Sequence, residues 1–148
     1  MKLPQQLKKN VVSELEFIAK KMKEEPDPSK KVFYYSAVKG ALERVQRYHY
    51  DKELVVAVPL TEISYALIND RVNHLKIGDT MVPITEEMLN TLVEGVSELK
   101  QAIENDQVTY PAIEKLMEVA YFATGPGFYT RSFLDSVATL QQSQEESR

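Results

Sequence analysis

The sequence predicts an all-α protein, a bundle of five or six helices with a four-helix-bundle-like core and a small β-hairpin or irregular insert near 54–83. Three observations carry that prediction. Between Pro83 and Asp106 the residues Leu89, Leu92, Val96, Leu99 and Ile103 recur at spacings of three and four, the period of one helix face. Other stretches show the same spacing, several of them ended by Pro or Gly. At 148 residues and 43% hydrophobic composition, the chain has the size of one domain and enough apolar side chains to close a single core.

The first helix spans 5–24, with Leu7, Val11, Leu15, Ile18 and Met22 on one face and Pro4 at its opening. Glu25-Pro26-Asp27-Pro28-Ser29 breaks it, and so short a link predicts that the next helix folds back as a helical hairpin. That second helix, about 29–50, puts Val38, Leu42, Val45 and His49 on its apolar face, beside Tyr34, Tyr35 and Ala41. Leu54-Val55-Val56-Ala57-Val58 is β-branched and short, either a strand or a helix end, and Pro59 is expected to stop it. A third helix follows over 61–75, with Tyr65, Ile68, Val72 and Leu75 in register; Lys76 to Pro83 then reads as a hairpin around Gly78-Asp79.

Next comes the helix at 85–105. Thr85 can cap it, Glu86 and Glu87 suit its positive first turn, and Ile84 can staple onto Leu89. Thr109 and Pro111 open another, carrying Ile113, Leu116, Met117 and Ala120, which Gly125-Pro126-Gly127 ends. A last helix is expected over 128–141, showing Tyr129, Phe133, Val137 and Leu140. Residues 1–141 form one helical-bundle domain in this reading, and 142–148 a disordered polar tail.

Composition narrows the function classes. No apolar run approaches the roughly 20 residues of a membrane span, and Met1 to Asn10 lack the apolar core of a secretory signal. With no cysteine either, a cytoplasmic protein without disulfides, thiol chemistry or thiolate zinc is expected. The net charge of −4 conceals an asymmetry: residues 1–50 hold eleven basic and six acidic residues, and 51–148 hold seven and sixteen. The basic third is expected to face the acidic remainder of its own fold or of a second subunit, ahead of an outside partner such as nucleic acid.

Chemistry-bearing patterns are sparse. The Glu-x-x-His pairs of di-metal bundles are missing, since Gln46 and Arg71 stand three before His49 and His74. Asp70 and His74, four apart, read as a surface pair, so neither a metal nor another cofactor is expected. The two Ser-x-x-Lys spellings, Ser36 to Lys39 and Ser97 to Lys100, fall inside helices without companion motifs.

Arg44-Val-Gln-Arg-Tyr-His49 resembles the Arg-x4-6-His element of HEPN-type helical ribonucleases. The resemblance covers those two residues and implies an all-α, often dimeric protein whose Arg44 and His49 act on an RNA phosphodiester. Val45 stands where that family usually has a polar residue, and a continuous helix would set the two side chains about 140° apart. The other reading makes His49 a partly buried core residue.

Lys30, Tyr34, Arg44 and Tyr48 form a stripe suited to packing or, less favoured, to nucleic acid. The Gly125–Arg131 loop, through Gly125, Gly127, Thr130 and Arg131, offers either a helix connector or a site for a small anionic ligand or nucleotide. Gly40 and Gly95 lie mid-helix, where close helix crossing or room for a ligand would account for them. Phe17 and Phe122 sit on helix backs and suggest an oligomer contact. The leading expectation is a non-enzymatic interaction or scaffold protein acting as a homodimer or other homo-oligomer. An RNA-directed enzyme and an anion binder are the alternatives.

Overall fold

A computed structural model describes residues 2–76, 84–124, 139 and 142, with backbone alone at 73–76, 123 and 124. It is all-α. Six helices stand among the described residues: α1 (Gln5–Glu24), α2 (Pro28–Tyr35), α3 (Ala37–Tyr48), α4 (Lys52–Lys76), α5 (Glu86–Glu104) and α6 (Tyr110–Thr124). No strand occurs among them. The expected hairpin around Gly78-Asp79, the helix over 128–141 and the polar tail lie outside the described residues, except that Thr139 and Gln142 are helical and exposed.

α1 begins after Pro4, whose carbonyl accepts from the Lys8 N–H at 3.0 Å, and buries Val11, Leu15, Ile18 and Met22. At its other end Lys31 Nζ donates to the Met22 carbonyl at 2.6 Å, a cation on the negative end of the helix. Asp27 then caps α2 by accepting the Ser29 N–H at 3.2 Å, with Pro28 in the first turn.

The helix expected over 29–50 is two helices, broken at Ser36. Its hydroxyl donates to the Phe33 carbonyl at 2.5 Å, and its N–H is shared between Val32 and Phe33. Ser36 itself keeps right-handed helical angles (φ −56°, ψ −24°), and Val32, Tyr35 and Val38 on either side of it are all buried.

α4 overturns a larger expectation. Leu54 to Val58 is neither strand nor helix end but the start of a 25-residue helix that runs through Pro59 and absorbs the helix expected at 61–75. Proline inside a helix costs about 3 kcal/mol. Here Leu54 and Ala57 before it, and Leu60, Ile68 and Val72 after it, are all buried, so core packing offsets that cost on both sides of the proline. Pro59 is itself exposed, as is Val55, whose carbonyl a proline four residues on cannot bond.

α5 follows the sequence closely. Thr85 Oγ1 accepts the Met88 N–H at 3.1 Å, and Leu89, Leu92, Val96, Leu99 and Ile103 are all buried. Its end is a Schellman turn, with Gln107 N–H on the Ala102 carbonyl at 2.8 Å and Asp106 N–H on Ile103 at 3.3 Å. Asp106 adopts the left-handed conformation (φ 55°) that glycine usually takes there.

The helices close a circuit of contacts: α1 packs on α5, α5 on α6, α6 on α4, and α4 on α2 and α3, which return to α1. Gly95 accounts for the α5–α6 crossing. A Cβ there would lie 2.6 Å from Leu116 Cδ2, so the fully buried leucine fills the space that glycine leaves. At Gly40 a Cβ would meet only Arg44 Nη1, at 3.5 Å, so no crossing requires that glycine.

Candidate functional site

Two polar clamps fix α4 on its inner side. Tyr35, fully buried, donates its hydroxyl to Ser64 Oγ at 2.8 Å, and Ser64 donates to the Leu116 carbonyl at 2.9 Å, tying α2, α4 and α6 together. Burial pushes the Tyr35 phenol well above its ordinary range, more than the Ser64 hydrogen bond lowers it, so it stays a neutral donor. At the start of α4, Asp51 Oδ1 accepts the Glu53 N–H at 2.8 Å, and Glu53 itself is buried. Glu53 Oε2 accepts both the N–H of Thr109 at 3.2 Å and its hydroxyl at 2.7 Å, fixing the residue that opens α6. Among the described residues every buried polar side-chain atom has a hydrogen-bond partner.

The outer side of α4 is the opposite case. Val55, Pro59, Ile63 and Ala66 are all exposed, at helical spacings of four, four and three. Val55 keeps 45% and Ile63 40% of their surface in water. Lys52 and Glu62 border this apolar stripe, and Glu62 meets Lys39 at 3.8 Å. Sequence reasoning missed the stripe because Pro59 was expected to divide the segment. Read as one helix from Lys52 onward, the same residues show the periodicity plainly.

Arg44 and His49 are not assembled into one pair on a helix. Arg44 is exposed on α3, and its guanidinium is hydrogen-bonded and ion-paired to the Glu14 carboxylate of α1. His49 lies just past the helix end in an extended conformation (φ −150°, ψ 111°) and is half-buried. The expected continuation of the helix to His49 therefore fails: α3 stops at Tyr48, and α4 begins only at Lys52. Tyr48 and Tyr50 flank it, 77% and 76% exposed. The stripe of Lys30, Tyr34, Arg44 and Tyr48 is interrupted by the break at Ser36, and Tyr34 packs against the core.

Gly125, Gly127, Thr130 and Arg131 lie outside the described residues, as does the His74 side chain. Phe17 and Phe122 are each 59% exposed; Lys21 Nζ stands 5.5 Å from the Phe17 ring centre. Ion pairs join the basic first third to the acidic remainder, Lys8 to Asp106 at 2.7 Å and Lys39 to Glu62. The Lys8 hydrogen bond holds the Asp106 carboxyl below its usual range, while partners raise Lys39 (Glu43 first) and Lys115 (Glu98 first).

Among the described residues no three His, Asp or Glu side chains gather as metal ligands, and no helix is long and apolar enough to cross a membrane. No protein-family model, curated protein or solved structure matches the chain.

Proposed function

We propose that this chain is a non-enzymatic interaction or scaffold protein, a helical bundle that self-associates as a homodimer through the outer face of α4. The observation that supports this reading is the exposed run of Val55, Pro59, Ile63 and Ala66 over three turns of one helix. A helix face of that kind is more favourable covered, each Val or Ile contributing about 1 kcal/mol beyond its present burial. In a two-fold dimer the same stripe is buried on both protomers, so the effect counts twice. The ribonuclease reading has less support, because Glu14 occupies the arginine that would bind phosphate.

The absence of cysteine makes a direct test available. Single substitutions Val55→Cys, Ile63→Cys and Ala66→Cys place one thiol per chain along the stripe, and Ser13→Cys places one on the exposed face of α1. Mild oxidation is expected to link chains through at least one of the three stripe positions and not through Ser13→Cys. Equal linkage at all four, or linkage at Ser13→Cys alone, would remove the proposal.

A further inference from the structure

Away from α4, α1 and α5 pack together and leave a groove of about 370 Å³ between them. One face of each helix lines it, Glu16, Ala19, Lys20 and Lys23 from α1, and Val93, Ser97 and Lys100 from α5. The spacings of three and four give it about two helical turns of length, on the order of 11 Å. Ala19 is buried and Val93 partly buried, so the groove has an apolar lining, and three lysines and one glutamate surround it.

Four lysines elsewhere in the chain are held by close partners. Lys8, Lys31, Lys39 and Lys115 are engaged at 2.7, 2.6, 3.2 and 2.7 Å by Asp106, the Met22 carbonyl, Glu43 and Glu98. Among the described residues Lys20 and Lys23 have no ion-pair partner, and Lys100 reaches only Glu104, at 3.6 Å. In a chain of net charge −4, the lining of this groove thus sets three cations against one carboxylate, Glu16.

We propose that this groove receives an acidic amphipathic helix of a partner protein. A third helix laid between α1 and α5 would cover Ala19 and Val93 with its apolar residues and meet Lys20, Lys23 and Lys100 with its carboxylates. Single-stranded nucleic acid fits less well, because no aromatic ring lines the groove to stack a base. This inference goes beyond self-association and does not use α4, so the two would make a scaffold with one face for itself and another for its partner.

The test is fluorescence anisotropy with a labelled synthetic helix bearing leucine on one face and glutamate beside it. A lysine version and a single-stranded oligoribonucleotide serve as the other arms. The acidic helix is expected to bind saturably, the lysine version not to bind, and added salt to weaken the complex. Lys20→Glu with Lys23→Glu should weaken it roughly tenfold or more. Ser97→Trp, which blocks the groove without changing charge, should do likewise with circular dichroism unchanged; should it misfold, the lysine variant still decides. Binding that persists in Ile63→Glu keeps this result separate from the α4 reading. Absence of saturable binding, equal binding by a folded Ser97→Trp protein or the lysine-reversed variant, or binding of the oligonucleotide alone would overturn the proposal.

Discussion

Each side of α4 carries exceptions to the usual distribution of polar and apolar groups. Inside, Ser64 and Glu53 are buried polar residues with hydrogen-bond partners on other helices. Outside, Val55 and Ile63 are apolar and wet. The inner groups hold the helix at a fixed position against α2 and α6, where an unmade hydrogen bond would be costly. The outer groups, Val55 at 45% and Ile63 at 40% exposed, keep apolar surface in water. The contrast separates what holds the fold from what is left over for association, and the two sides should respond differently to substitution.

The largest expected effect is on the inner side. Glu53→Ala removes the acceptor for both the N–H and the hydroxyl of Thr109, and should destabilise the protein by about 2–3 kcal/mol in urea unfolding. A loss below about 0.5 kcal/mol would mean that the clamp does not fix α6. Tyr35→Phe should cost less, about 1–2 kcal/mol, because it deletes one donor and leaves Ser64 still bonded to the Leu116 carbonyl.

Smallest is the effect at the Lys8–Asp106 ion pair, which joins α1 to the turn after α5. The Asp106 carboxyl titrates below its usual range because Lys8 binds the charged form. Its contribution is therefore fully present above the unfolded-state pKa of about 3.9 and is lost as pH falls through the lower folded value. Asp106→Asn should flatten stability against pH only in that acidic window, and a change in slope near neutrality would contradict the assignment.

How far the sequence could be read depended on whether local signals agreed with packing. In α5 they did: cap, acidic first turn and apolar seam all point to one helix, and Gly95 marks where Leu116 comes close. At Pro59 and Ser36 they did not. A proline normally ends a helix and a serine between Tyr35 and Ala37 need not, so α4 was expected to divide and α2–α3 to continue. At Pro59 burial on both sides of the proline outweighs the local signal, and at Ser36 the hydroxyl bonds back to the Phe33 carbonyl. The polar clamps were equally illegible, since Tyr35 finds Ser64 across 29 positions and Glu53 finds Thr109 across 56. Of the candidate site residues, Arg44 could be placed on a helix, but its partner Glu14, 30 positions away, could not be foreseen.

The outer face of α4 carries the central claim, and light scattering during size-exclusion chromatography tests it most directly. The wild-type chain should elute at twice its 16.9 kDa mass, and the Val55→Glu, Ile63→Glu double variant at that mass with unchanged helical content. A wild-type monomer, or a double variant that remains a dimer, would contradict the account.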